Sequence, residues 1–211
     1  DGKRAFQGPE LLQIDPTNLC NNNCIACWCR SPLLGDKKIS EDERDLSLPL
    51  EIISQLLNDC AAMGTTNVYL AGGGEPFMHP HIIEIISHIK KLGMCCHINT
   101  NFTLVDKERA KQLVDMGVDH IIASLWAATP QTYVASHPNK TEADFDRLID
   151  VLKYLVELKD NGPPHIKLYN VIMNLNYHEI EKMVDLAYDL GVNAAEFTVA
   201  DVIPGCTDKL L

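Results

Sequence analysis

A parallel α/β fold is the architecture this chain predicts, on three observations. Short apolar runs alternate with stretches of helical periodicity along the chain, giving six strands and five intervening helices. Glycine stands behind four of the helical stretches, at Gly64, Gly93, Gly117 and Gly191, where a helix stop belongs. No two strand-like runs follow one another directly, which points to right-handed βαβ crossovers rather than hairpins. A closed eight-unit barrel typically takes about 250 residues. The chain has 211, so six units suit it better. A partly open barrel and a doubly wound open sheet are both compatible with the periodicity.

Glu10 to Asp15 reads as the first strand, ended by Pro16 and the asparagine-rich stretch Asn18 to Asn23. Ser31 to Leu46 is a charged connector with no clean periodicity, and its acidic stretch Glu41 to Asp45 reads as solvated. Leu48 to Met63 places Leu50, Ile53, Leu56, Leu57 and Cys60 at helical spacing. Asn67 to Ala71 is the second strand, followed by the turn Gly72-Gly73-Gly74-Glu75-Pro76 and the helix Ile82 to Leu92. Cys95 to Asn99 is the third strand, Lys107 to Met116 the third helix and His120 to Leu125 the fourth strand. Thr129 to Thr141 reads as a loop before the long helix Glu142 to Leu158, which Asn161-Gly162-Pro163-Pro164 stops. Ile166 to Ile172 and Ala194 to Val199 complete the strands, with the helix Glu179 to Leu190 between them. The tail from Ile203 is too short to assign.

Composition narrows the class. A hydrophobic fraction of 46% is typical of a soluble globular protein. No apolar run approaches the roughly 18 residues of a membrane span, so no membrane partner is expected. The start, Asp1-Gly2-Lys3-Arg4, has no charged-then-apolar leader, which gives a cytoplasmic expectation. One domain over residues 1–211 is expected, and a start other than Met is compatible with a segment of a longer chain. A net charge of −11 without a basic stripe disfavours nucleic acid as the main partner. Eight cysteines could suggest disulfides, but disulfide scaffolds are small and poor in periodic structure. Reduced thiols serving a metal site are the better reading.

Three of those thiols are clustered. Cys20, Cys24 and Cys27 follow the first strand with the spacing C-x3-C-x2-C. Three thiolates from one loop can grip three corners of an iron–sulfur cube and leave its fourth iron open to a small molecule. Zinc sites more often pair one C-x2-4-C with a distant second pair, and ferredoxins use C-x2-C-x2-C with a remote fourth cysteine. The spacing matches neither. Cys60, Cys95 and Cys96 read as small buried apolar residues on a helix and a strand. Cys29 lies outside the spacing and is taken as a non-ligand. As a fourth ligand it would instead make a non-catalytic zinc or iron–sulfur module. His79 and His81, flanking Pro80 at a helix start, read as capping or solvated residues.

Position supports a single site. The cysteine loop follows strand one and the triple-glycine turn follows strand two. Asn99-Thr100-Asn101 closes strand three, Ser124 ends strand four, and Asn174 and Asp201 lie just past strands five and six. Parallel strands deliver their carboxyl ends to one face. Three consecutive glycines cost conformational entropy, which is tolerated where backbone must approach a ligand closely.

On these residues the chain resembles the radical S-adenosylmethionine (radical SAM) enzymes. Cys20, Cys24 and Cys27 carry that family's cysteine signature. Gly73-Gly74-Glu75-Pro76 matches its Gly-Gly-Glu-Pro motif, which holds the SAM amino group. Thr100-Asn101 is similar to its Thr-Asn-Gly, with Phe102 in place of glycine, and Ala123-Ser124-Leu125 is similar to its Ser-Leu-Asp-Gly, with Trp126-Ala127 in place of Asp-Gly. Ala26 stands where the family commonly has an aromatic residue, and Trp28 is the candidate to compensate.

The resemblance implies an open, partial TIM-type (βα)6 barrel. It implies a [4Fe-4S] cluster on Cys20, Cys24 and Cys27, with SAM on the open iron. SAM contacts then fall to Gly73, Gly74, Glu75, Asn101, Ser124 and, toward the ribose, Asn174. His137 or Lys140 is the candidate cation for the SAM carboxylate. An electron donor such as flavodoxin or ferredoxin would drive reductive cleavage to methionine and a 5′-deoxyadenosyl radical, which abstracts hydrogen from an unidentified substrate. The loop Trp126 to Lys140 is the candidate for shaping that substrate's site. Many relatives add a C-terminal cysteine-rich domain with further clusters.

Overall fold

The computed structural model describes residues 7–211, so the leader reading at residues 1–4 lies outside it. Six strands form one sheet: β1 (Leu11–Ile14), β2 (Asn67–Leu70), β3 (Cys95–Thr100), β4 (His120–Ser124), β5 (His165–Ile172) and β6 (Ala194–Val199). Every neighbouring pair is parallel, and the spatial order β1-β2-β3-β4-β5-β6 is the chain order. A doubly wound sheet reverses its order at a switch point. This sheet never reverses, so of the two architectures left open it is the partial (βα)6 barrel.

The helices cover one face only. They are α1 (Glu41–Arg44), α2 (Leu50–Ala62), α3 (Ile82–Lys91), α4 (Lys107–Asp115), α5 (Pro130–Ser136), α6 (Glu142–Lys159) and α7 (Ile180–Leu190). In α3, Ile82, Ile85, Ile86 and Ile89 are buried, the i, i+3, i+4, i+7 stripe of a helix laid on a sheet. Burying each isoleucine stabilises the fold by roughly 2 kcal/mol. Along β3, Cys96, Ile98 and Thr100 are buried against these helices, while Cys95, His97 and Asn99 alternate onto the concave side and stay half-buried. The same alternation puts Ile121 and Ala123 of β4 in the core and His120 and Ser124 on the concave side. Cys60 and Cys96 are therefore core residues as expected. Cys95 is not: strand alternation turns it to the polar concave face.

Two segments hold more structure than the sequence reading gave them. The stretch Thr129 to Thr141 contains α5, whose start is fixed by Thr129 Oγ1 accepting from Thr132 N and by Pro130 at the first helical position. The charged connector contains a 3-10 turn over Pro32–Lys37 and α1, capped by Ser40. All three pieces are shorter than the apolar period needs to declare itself. Among the described residues no helix is long and apolar enough to cross a membrane.

The long α6 is set by a capping box, in which Thr141 and Asp144 each bond the other's backbone N–H, and by its buried face, which includes Leu148, Leu152 and Leu155. Thr141→Ala should cost about 1 kcal/mol of stability. Leu152→Ala, which empties a fully buried position, should cost about 3 kcal/mol. Urea denaturation of both variants checks the order, which reverses if capping rather than burial dominates.

Candidate functional site

A cavity of about 330 Å³ opens at the carboxyl ends of the strands, within the size range of small-molecule sites. Its wall brings together Cys20, Cys24 and Cys27 after β1, Gly72 to Glu75 after β2, Asn101 after β3 and Ser124 at the end of β4. Thr198 and Asp201, at and after the end of β6, complete it. Asn174 is not brought there. It is exposed, its backbone N–H donates to Leu210 O at 2.8 Å, and its amide donates to Lys209 O. Past β5 the chain turns this asparagine toward the C-terminal tail, and Tyr169 and Val171 of β5 occupy the wall instead.

The triple glycine has a backbone reason besides the close approach to a ligand that its sequence suggests, for all three glycines line the cavity. A Cβ on Gly74 would lie 2.2 Å from Leu19 O and 2.6 Å from Thr17 O, and Gly72 has φ +139° with Asp15 against it. The close approach is to the backbone that leads into the cysteine loop, and Glu75 N clinches it by donating to Leu19 O at 2.7 Å. The Glu75 carboxyl is buried and accepts from Thr100 Oγ1 (2.6 Å), Asn101 N (2.7 Å) and Phe77 N (3.2 Å). Burial nevertheless pushes it up to about 7. Oε2 takes only the Asn101 bond, so it keeps room for one further donor from the cavity.

Around the thiols the environment is uneven. Burial raises Cys20 and, far more strongly, Cys24, whose neighbours Cys27 and Cys20 add to the effect. Cys27 is held down at about 6, chiefly by the Cys29 thiol donating to it across 3.6 Å. Cys29 itself is buried, lies 3.3 Å from Gly73 O and does not line the cavity. Arg30, which the sequence reading passed over, places its charge beside Cys27, Cys20 and Cys29, with its guanidinium fixed by the carbonyls of Asn18 and Arg44. Asn101 braces the same loop, its amide donating to Asn21 Oδ1 at 2.8 Å. Ser124 Oγ donates to Asn99 Oδ1 at 3.2 Å.

Two polar groups in the wall lack protein partners of ordinary geometry. The buried Nε1 of Trp126 makes no hydrogen bond, and the buried Asn22 amide makes none of ordinary geometry although it lies beside the Cys24 thiol and the Tyr133 hydroxyl; both residues line the cavity. Buried groups of this kind ordinarily find a partner, so they fit a ligand that brings its own donors and acceptors. Asn22 was hidden in the sequence because its run of asparagines read as a turn. Trp28 is on the wall and largely exposed, free to lie against an apolar or aromatic group.

The candidate cations fare worse. His137 is buried, stacks on Tyr133 at 4.4 Å and has Nδ1 3.0 Å from Tyr133 O. Burial lowers it to about 4, so it is neutral at physiological pH and supplies no positive charge. Lys140 lies outside the cavity wall. His79 is a buried brace, its Nε2 2.9 Å from Leu48 O and its Nδ1 accepting from His81 N, while His81 pairs with exposed Glu84.

Comparison with known proteins bears on the same stretch. The sequence profile described as "Radical SAM superfamily" matches residues 14–187. The chain is 26% identical over 197 residues to the tungsten-containing aldehyde ferredoxin oxidoreductase cofactor-modifying protein of Pyrococcus furiosus, covering 92% of this chain and 52% of that one. It is 30% identical over 185 residues to a probable GTP 3′,8-cyclase of Saccharolobus islandicus, covering 87% and 54%. The chain thus spans about half the length of these curated relatives. Among solved structures, Streptococcus suis SuiB bound to S-adenosylmethionine superposes with a TM-score of 0.78 at 20% identity, over 97% of this chain and 44% of that one. That likeness shows the fold.

Two outcomes follow from this geometry. Gly74→Ala forces a Cβ into backbone oxygens and should cost about 3 kcal/mol. Gly93→Ala, where a Cβ meets nothing and only φ +75° resists, should cost about 1 kcal/mol; equal midpoints in urea would contradict the tight turn. In the metal-free chain Cys27 should alkylate as a thiolate above about pH 6, with Cys24 slow at neutral pH. Because the Cys29 thiol is what lowers it, Cys29→Ala should move the Cys27 midpoint upward, as read by mass spectrometry of iodoacetamide adducts across pH.

Proposed function

The chain belongs to the radical SAM superfamily, and from that membership we propose that residues 1–211 form the radical SAM core of an enzyme that removes hydrogen from its substrate. A [4Fe-4S] cluster carrying SAM on its open iron supplies, when reduced by one electron, a 5′-deoxyadenosyl radical. Cys20, Cys24 and Cys27 hold the cluster. Gly73 and Gly74 form the backbone wall beside the ammonium of SAM, and Glu75 offers it the remaining acceptor position on Oε2. The Asn22 amide and the unpartnered Trp126 Nε1 suit the polar edges of the same ligand, with Asn101 and Ser124 beside them. Charge near the loop comes from Arg30, which favours thiolate over thiol at Cys20 and Cys27.

One observation carries the reading: three thiols face a single cavity while the fourth nearby thiol, Cys29, is turned to the Gly73 carbonyl outside its wall. The alternative is a non-catalytic zinc or iron–sulfur module with Cys29 as fourth ligand, and its zinc form is less well supported. Thiolates on one zinc ion lie roughly 4 Å apart. Among the described residues no three of the loop's sulfurs come within 4.8 Å of one another. A cube spaces its ligands more widely. The relatives' names cover a cofactor-modifying protein and a nucleotide cyclase, so they assign no substrate here. A reduced flavodoxin or ferredoxin in the cytoplasm is the electron source that suits the reading.

Anaerobic reconstitution with iron and sulfide, then dithionite and SAM, should yield 5′-deoxyadenosine. Independently of activity, Cys24→Ala should lose the cluster iron and Cys95→Ala should retain it. Equal iron loss in both variants would contradict the ligand assignment, and a zinc-loaded chain indifferent to SAM would favour the module.

A further inference from the structure

At the opposite end of the strands from the cavity, on the same concave face, three metal-ligating side chains come together. Ligand atoms of Cys95, His97 and His120 all lie within 4.8 Å of one another, and all three residues are half-buried. Among the described residues no other trio does this. Strand register produces the convergence: His97 of β3 pairs with His120 of β4, and Cys95 lies two residues before His97, so its side chain emerges on the same side of the sheet.

We infer that Cys95, His97 and His120 form a second metal site, for a borderline-soft divalent ion of the zinc class. One thiolate and two imidazoles are a zinc donor set, and three protein ligands leave a fourth position for water. Burial and the neighbouring rings hold both histidines below the ordinary imidazole range, so each offers a lone pair at neutral pH. Cys95 Sγ already lies 3.3 Å from His97 Nε2, and binding would release the Cys95 proton to solvent.

The strands that carry the trio are fixed, while its rings must adjust. In the ion-free arrangement His97 Nε2 also lies 3.3 Å from Asn67 Oδ1 on the adjacent strand, a contact that coordination through Nε2 would replace. Next to Cys95 and His120, Asp119 locks the starts of β3 and β4 together: its Oδ2 accepts from Cys96 N at 2.7 Å and from Lys90 Nζ at 2.5 Å, and its N–H donates to Cys96 O. In the ion-free arrangement the rings of His97 and His120 stack at 4.4 Å with 4° between their planes, so coordination turns one ring out of the stack. His97 is about 7 Å along β3 from Asn99, which lines the cofactor cavity. The two sites therefore share a wall without sharing ligands.

The inference does not rest on the radical SAM reading, and its test keeps the two apart. The full chain with Cys20, Cys24 and Cys27 all changed to Ser is titrated anaerobically with cobalt(II). A thiolate-to-cobalt charge-transfer band saturating at a single ion per chain is expected. Cys95→Ser in that background should abolish it, and His97→Ala and His120→Ala should each weaken binding by roughly tenfold or more. Cys206→Ser should leave it unchanged. Circular dichroism reports whether the triple-serine chain is folded. If it is not, the native chain is equilibrated with zinc(II) and its zinc content compared with that of Cys95→Ser, which should be lower by one ion per chain whether or not the loop thiols carry a cluster. No retained cobalt or zinc, or retention indifferent to Cys95 and His120, overturns the site.

Discussion

The constraint on which the structure depends is a contact between two backbones. Gly74 lies so close to Thr17 and Leu19 that a single methyl group would collide with their carbonyl oxygens, and Glu75 N bonds Leu19 O from the same turn. The glycines of the second strand's turn thereby fix the lead-in to Cys20. Glu75 extends the brace by accepting from Thr100 and Asn101, and Asn101 returns to Asn21 in the cysteine loop. Three consecutive strand ends are tied into one rigid rim before any cofactor arrives. Preorganisation of this kind removes ordering costs from the binding step.

The sheet divides labour by strand alternation. One face of β3 and β4 is apolar and sealed by α2, α3, α4 and α6, and the other is polar and half-open. A fully parallel sheet usually has both faces covered and reads as continuous hydrophobic runs. The mixed runs here, Cys95-Cys96-His97-Ile98-Asn99 above all, are the sequence signature of a barrel whose interior carries chemistry. The cavity lies at the carboxyl ends of that interior, and Cys95, His97 and His120 gather toward the amino ends.

Much of this was legible in the sequence. Strand and helix positions followed from apolar period and glycine stops, because long elements repeat their period often enough to show it. The helix α5 was missed since its seven residues offer barely two turns, although Thr129-Pro130 is a start signal. The clustered thiols and the glycine turn announced the site, yet the backbone reason for the glycines was hidden. Close approach to ligand and close approach to neighbouring backbone call for the same residue. Asn174 was placed by chain position alone, and position past a strand does not determine which way a turn faces. Arg30 and Asn22 could not be singled out, because burial and hydrogen-bond geometry are properties of the folded chain. Cys95 was assigned to the core for the same reason: adjacent cysteines in a strand look alike until alternation sends them to opposite faces.

The central claim is that the three-thiol loop leaves one iron open and that SAM binds there through its amino group. Electron–nuclear double resonance on the reduced, reconstituted chain with SAM labelled at that nitrogen tests it most directly. A hyperfine coupling from the labelled nitrogen to the cluster is the predicted result. A reduced cluster with no such coupling, and with thiolate at all four irons, would contradict the account.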